Sequence, residues 1–380
     1  MKKNVLILYI SKFSGHYRAA QAIEAGFYKM PAEVRVTKIN ALNYTNPILG
    51  SVINRAYLEV IKKRPEIWGR IYDDPDVLKK TKKTRDTLHR FNMAKIGKLI
   101  REYSPEIIYC TQAFPCGMVS DYKKALSCDI PLVGVLTDHA PHSYWLHDEV
   151  DYYVVPSSET ASRLQAKGVS GEKIRIYGIP VDPVFAVRQD REKILDSLGL
   201  DPKKPTVLIM GGSQGLGAIE DAVLSLSSDT VHEYQLIVVV GSNKKLFHRL
   251  ERYAHRSPNS PIRVFSYVEN VDAFMDASDV VVTKAGGMTT TEAMVKGLPL
   301  VIVDPIPGHE RMNADYLVGK GVAMEVKDLA VLHKELNELF DDREKLRTMR
   351  DLAFRTARPE SAMDAALLAF EVSKCSTTFT

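Results

Sequence analysis

Residues 206–217 read Thr-Val-Leu-Ile-Met-Gly-Gly-Ser-Gln-Gly-Leu-Gly. A short β-branched apolar run breaks into a glycine-rich turn, and a helical pattern follows. Such a run, bounded by turn residues, is a strand buried on both faces of a parallel sheet. Its placement before a helix makes it one unit of strand–helix alternation. The same alternation recurs in both directions from this point. Strands are expected over Val5–Ile10, Val34–Ile39, Ile107–Thr111, Leu132–Leu136, Tyr152–Val155 and Ile174–Tyr177. A second series covers Thr206–Met210, Gln235–Val240, Ile262–Phe265, Val280–Thr283 and Leu300–Val303. Eleven strands exceed one sheet of ordinary size, and 380 residues suit two domains. The expected fold class is therefore α/β, with two doubly wound Rossmann-like domains facing across a cleft.

The segment Gly178-Ile-Pro-Val-Asp-Pro183 interrupts the alternation with two prolines and a glycine. It sets expected domains at 1–180 and 181–358. Residues 359–380 remain as a C-terminal helix and tail, with the helix returning to the first domain.

Composition narrows the function classes. An apolar share of 45% and a charged share of 26% describe an ordinary globular chain and exclude disorder. The formal charge of +4 is too small for a dedicated nucleic-acid binder. It is unevenly spread: residues 1–150 carry +8 and residues 151–380 carry −4. Lys79–Arg101 alone holds nine basic residues and one acid, Asp86. Pro47–Ile61 precedes it with apolar residues near helical spacing, and Trp68 lies between. Apolar and aromatic residues beside dense Lys/Arg suit an anionic lipid surface, so Trp68, Lys79, Lys80, Lys82, Lys83 and Arg85 are candidate membrane contacts. No run reaches the ~18 apolar residues of a membrane span. Cys110, Cys116, Cys128 and Cys375 form no C-x-x-C pair or zinc spacing and read as reduced thiols in a cytoplasmic setting.

Three strand-end loops of the second half are glycine-rich or polar: Gly211–Gly217, Thr283–Glu292 and Asp304–Asn313. Glycine turns between strand and helix expose backbone N–H groups to phosphate. Gly211–Gly217 lacks the Gly-Lys-Ser/Thr of a Walker loop and the spacing of the dinucleotide fingerprint. In the first half, Ser14-Gly-His16 closes the first strand. There the helix dipole favours a neutral, proton-accepting imidazole. Together these loops describe a site for a phosphorylated, hydroxyl-rich ligand. No Asp-x-Asp cluster stands at a strand end. The histidines of 137–147 match no zinc motif, so no metal is expected.

The ordered set Ser14-Gly-His16, Gly211-Gly-Ser-Gln-Gly215, Lys284-x-Gly-Gly-x-Thr-x-x-Glu292 and Gly308-His-Glu-x-x-Asn-Ala314 resembles the GT-B glycosyltransferases of family 28. This group includes monogalactosyldiacylglycerol synthases, bacterial diacylglycerol glucosyltransferases and the lipid II N-acetylglucosaminyltransferase. Thr137-Asp138, Trp145-x-His147 and Val150-Asp-x-Tyr-x-Val155 resemble the diacylglycerol branch most. The pattern is departed from in two places: Lys12-Phe13-Ser14 stands where the first loop usually has more glycine, and Ala285 replaces a proline.

The resemblance implies transfer of a hexose from a UDP-sugar to diacylglycerol with inversion, at the inner membrane face. UDP-sugar is then a substrate, and no cofactor is implied. Gly211, Gly212, Ser213, Gln214, Gly215, Gly286, Gly287 and Thr289 would face the diphosphate, and Lys284 would also bind the donor. Glu292 would take the ribose hydroxyls, the backbone near Val268 the uracil, and Glu310 and Asn313 the sugar. Asp138 and His16 are the rival bases, and Gly15 and Trp145 lie on the acceptor side. Alternatives are N-acetylglucosamine transfer to a polyprenyl-linked acceptor, a UDP-sugar 2-epimerase and a non-catalytic UDP-sugar sensor.

Overall fold

The computed structural model describes residues 3–12, 14–46, 87, 92–227, 233–256 and 261–375. The chain divides into two compact units. One is Met1–Pro183 with Pro307–His309 and Glu360–Thr380; the other is Val184–Ile306 with Glu310–Pro359.

The first unit holds β1 (Lys3–Tyr9), β2 (Val34–Asn40), β3 (Ile107–Cys110), β4 (Leu132–Val135), β5 (Tyr152–Val154) and β6 (Ile174–Arg175). They form one sheet in the order β2-β1-β3-β4-β5-β6, parallel throughout. β3 and β4 are buried along their whole length, as their apolar runs require. β2, at the edge, alternates charge and hydroxyl with valine and is only half-buried. Helix Gly15–Tyr28 follows β1, capped by Ser14, whose hydroxyl accepts the Tyr17 N–H at 3.3 Å.

The C-terminal helix, Ser361–Cys375, packs on Gly15–Tyr28 within the first unit. Gly26 permits the approach, because a Cβ there would lie 2.4 Å from the Ala362 carbonyl oxygen. The Tyr109 hydroxyl donates to the Ala365 carbonyl at 2.7 Å and the Lys3 ammonium to that of Ala369 at 2.6 Å. The return of the chain's end to the first domain is thus fixed by an apolar stripe and two buried donors.

The second unit holds β7 (Thr206–Met210), β8 (Gln235–Val239), β9 (Ile262–Phe265), β10 (Val280–Thr283), β11 (Leu300–Val303) and β12 (Ala323–Val326). The order is β12-β11-β10-β7-β8-β9, again parallel throughout. The segment entering this unit is buckled down by charge. Arg188 meets Asp276 at 3.0 Å, Arg191 meets Asp279 at 2.9 Å, and buried Lys296 also pairs with Asp276.

β12 is a strand that the sequence reading lacks. It is an edge strand, half-exposed, and Glu325 interrupts its apolar character. Arg311 grips that carboxylate with two parallel hydrogen bonds of 2.5 and 2.9 Å. Among the described residues, no helix is long and apolar enough to cross a membrane.

Candidate functional site

In the second sheet, β7 has β8 on one side and β10 on the other. Strand order reverses there, and open α/β sheets bind ligands beyond the carboxyl ends of the strands at such a point. The Thr283 hydroxyl donates to the Met210 carbonyl at 2.8 Å, tying the two strand ends together.

The loop after β7 is held in one shape. Gly215 N–H donates to the Gly212 carbonyl at 3.1 Å and Leu216 N–H to that of Gly211 at 3.0 Å. The loop after β8 grips it from the side: Ser242 N–H donates to Ser213 O at 2.9 Å, and the Asn243 amide donates to Gly215 O at 3.1 Å. Gly215 has φ +58°, and a Cβ there would fall 2.0 Å from the Val240 carbonyl oxygen. Only glycine fits. Ser213 and Gln214 lie half-buried on the same turn.

Beyond β10, helix Gly287–Val295 starts at an N-cap glycine, Gly286, with no side-chain cap and no acid in its first turn. The Thr290 and Thr291 hydroxyls donate backwards to Gly286 O at 3.0 Å and Gly287 O at 2.8 Å. The first-turn N–H groups thus have no side-chain acceptor from the N-cap, and the positive end of the dipole is available to an anion. Thr289 is half-buried in that turn and Glu292 is buried further along the helix.

Lys284 precedes this helix and its ammonium pairs with the Glu310 carboxylate. The other Glu310 oxygen accepts the Ile306 N–H at 3.0 Å, and the residue is only 2% exposed. The pair lies against Gly286, where a Cβ would sit 3.4 Å from Lys284 Nζ and 3.7 Å from Glu310 Oε1, in ordinary contact. Asn313 is fully buried and its amide donates to the Ala285 carbonyl at 3.0 Å. Glu310 and Asn313 therefore act as struts under the Lys284–Gly286 turn. Val268 is half-buried in the segment between β9 and helix Val271–Asp276.

Sequence reasoning missed the ties rather than the loops. Thr283, Asn243 and Gly241 hold the turn in place; Gly241 has φ +54°, and a Cβ there would meet Ser213 O at 2.5 Å. The Gly-Ser-Asn that ends the apolar run 236–240 was the available signal. Asp304, at the end of β11, is a non-glycine residue at φ +46°. Burial and the Glu310 charge raise its carboxyl pKa.

The first unit gathers the ends of β1, β3 and β4. His16 Nδ1 lies 3.1 Å from Thr137 Oγ1, and the Thr111 hydroxyl donates to the His16 carbonyl at 2.8 Å. Burial holds the His16 pKa below that of a free imidazole, while the Asp138 carboxylate opposes the shift. Gly15 opens the helix and is exposed, and Asp138 is half-buried beside Thr137.

Trp145 lies in the first unit's core. It is 5% exposed, with the Tyr153 hydroxyl donating to its carbonyl at 2.8 Å and the His142 ring 6.2 Å away. Its side chain is buried there rather than displayed at the surface. Trp68, Lys79, Lys80, Lys82, Lys83, Arg85 and the 47–61 stretch lie outside the described residues. Among the described residues, no group of three or more His, Cys, Asp or Glu side chains could hold a metal ion.

Two parallel six-stranded sheets with flanking helices, each presenting loops at its point of reversal, define a GT-B glycosyltransferase fold. Residues 16–181 match the family model for monogalactosyldiacylglycerol (MGDG) synthase, and residues 206–364 match that for the glycosyltransferase family 28 C-terminal domain. The chain belongs to the group of glycosyltransferases that these two models describe. It is similar to the processive diacylglycerol beta-glucosyltransferase of Bacillus licheniformis, 29% identical over 349 residues, which is 92% of this chain and 89% of that protein. The fold is shared with Acinetobacter baumannii MurG, 15% identical with a TM-score of 0.66, over 97% of this chain and 99% of that one. It is also shared with Anabaena Alr3699/HepE, solved in complex with UDP-glucose, 16% identical with a TM-score of 0.60, over 98% and 99%.

Proposed function

We propose that this glycosyltransferase moves a hexose from a UDP-sugar to diacylglycerol, with inversion, working peripherally at the cytoplasmic face of the membrane. The observation that carries the donor half is the convergence of the Gly211–Gly217 turn, the open start of helix Gly287–Val295 and the Lys284 ammonium at one point of strand reversal. The diphosphate is taken by backbone N–H groups and Lys284, which neutralise the charge that grows as UDP departs. Glu292 accepts the ribose hydroxyls, and the backbone at Val268 reads the uracil edge. Glu310 and Asn313 fix the turn that bears on the sugar. The UDP-glucose complex of HepE supports the donor class.

The name of the Bacillus relative supports the acceptor. UDP-hexoses carry the sugar in α linkage, so a β product requires attack from the opposite face. The acceptor hydroxyl oxygen bonds to the anomeric carbon as the bond to the diphosphate oxygen breaks. The hydroxyl proton passes to a base, Asp138 or His16, and UDP leaves with the electron pair. A His16 pKa lowered by burial keeps its imidazole neutral and able to accept.

The reading is tested by UDP release with UDP-glucose, UDP-galactose and UDP-N-acetylglucosamine in turn. Release that requires diacylglycerol vesicles supports it. Epimerised UDP-sugar with no dependence on lipid contradicts it, and so does UDP binding with no turnover.

A further inference from the structure

Helix Lys244–Arg256 of the second unit reads Lys-Lys-Leu-Phe-His-Arg-Leu-Glu-Arg-Tyr-Ala-His-Arg. Five Lys/Arg stand against one acid, Glu251. At 3.6 residues per turn, Lys245, Arg249, Arg252 and Arg256 fall on one stripe, and all four are exposed. Leu246 and Leu250 bury the opposite side in the core. Beside the stripe runs a groove of about 280 Å³ between this helix and helix Ile219–Ser227. Leu224, Leu250 and Tyr253 give it an apolar lining, and Arg249, Arg252 and Arg256 line it with positive charge. Leu224, 42% exposed, also borders a second groove lined by Asp221, Ser225, Leu329 and Ala330.

The charges are unevenly matched. Arg249 meets Glu220 at 2.6 Å. Among the described residues, no carboxylate pairs with Arg252 or Arg256. Guanidinium groups present planar N–H forks that fit phosphate oxygens. An exposed leucine and a half-buried tyrosine beside them add what a free anion does not need, a contact for hydrocarbon.

The geometry points to this groove as a docking site for an anionic phospholipid of a bilayer, its phosphate held by Arg252 and Arg256 and its glycerol and upper acyl chain laid along Leu224 and Tyr253. The site uses no residue of the basic block 79–101 and none of the donor-loop residues. It gives the donor-binding unit a lipid contact of its own.

The test is flotation of the full chain with phosphatidylcholine vesicles, with and without phosphatidylglycerol, and with no donor or acceptor present, so its outcome is independent of the proposed reaction. It is run on the background Lys79→Glu/Lys80→Glu/Lys82→Glu/Lys83→Glu, which removes the other basic surface. Residual binding to phosphatidylglycerol vesicles is expected. Arg252→Ala and Arg256→Ala should each weaken it on the order of fivefold, the contribution of one near-surface cation. Glu220→Gln, which releases Arg249, should strengthen it. Leu224→Ser should weaken it even in high salt, where charge is screened. Unchanged UDP affinity and melting confirm that each variant is folded. The proposal is overturned if the background no longer floats or if the arginine variants float equally well. Loss of binding to inorganic phosphate with no effect of Leu224→Ser also overturns it, since that describes a site for the bare anion.

Discussion

Lys284, just past the end of β10, pairs its ammonium with the Glu310 carboxylate on helix His309–Gly319, whose second oxygen accepts the Ile306 N–H at 3.0 Å. The two residues stand 26 positions apart and come from the segments that follow adjacent parallel strands. Glu310 thus locks the lysine over Gly286, at the open end of the helix proposed to receive the donor diphosphate. The pair stores a cation in a mostly buried place by giving it a fully buried partner.

Removing one member should therefore hurt twice. Lys284→Met leaves the Glu310 carboxylate buried without its cation and should cost about 3 kcal/mol of stability in urea unfolding. Lys284→Met/Glu310→Gln should recover most of that loss. UDP affinity, followed by titration calorimetry, should stay at least about tenfold low in both, because a charge-assisted contact contributes roughly 1.5–3 kcal/mol. Recovery of UDP binding in the double variant would mean that Lys284 serves the fold alone.

The donor turn depends on glycine unequally. Gly215→Ala places a Cβ 2.0 Å from Val240 O at φ +58° and should displace the turn, lowering both stability and UDP affinity. Gly217→Ala, at φ +87°, meets nothing nearer than Lys284 Cδ at 3.8 Å. It should cost only the left-handed backbone penalty of about 1–2 kcal/mol. Equal losses in the two variants would show that the packing of Gly215 is not what shapes the loop.

His16 gives stability a pH dependence of known sign. Burial lowers its folded pKa below the 6.5 of a free imidazole. Above 6.5 both folded and unfolded states hold it neutral, and stability is unaffected. As pH falls below 6.5, the unfolded chain takes up the proton first, so stability declines. Urea midpoints of the wild type should fall through this window, and His16→Gln should flatten the decline by one group's share. A parallel profile for the variant would contradict the burial of the imidazole.

Trp145 distinguishes core from surface. Trp145→Ala should destabilise the protein by about 3–5 kcal/mol through the cavity it leaves, and Trp145→Phe should cost less. Neither should alter flotation of the folded protein with lipid vesicles. Selective loss of vesicle binding by Trp145→Phe, with unchanged melting, would return the residue to the surface.

Much of the fold is legible in linear sequence, because parallel strands buried on both faces appear as short β-branched runs. Thr206–Met210, Ile262–Phe265, Val280–Thr283 and Leu300–Val303 have the boundaries that their apolar runs indicate. β12 escapes this reading because an edge strand needs one buried face only and tolerates Glu325. The loops are visible through their glycines. What fixes them is not, because Thr283 to Met210, Asn243 to Gly215 and Asn313 to Ala285 join residues 28 or more positions apart. Trp145 shows the same limit: an indole has one composition in a core and at an interface, and only its burial, with the His142 ring 6.2 Å away, decides between them.

The central claim is the transfer of a hexose from a UDP-sugar to diacylglycerol. Mass spectrometry of the lipid fraction, after incubation of the full chain with each of three UDP-sugars and diacylglycerol vesicles, tests it most directly. A lipid heavier than diacylglycerol by one hexose residue, or by successive ones, is the predicted result. Unmodified diacylglycerol with every donor, from protein that binds UDP, would contradict it.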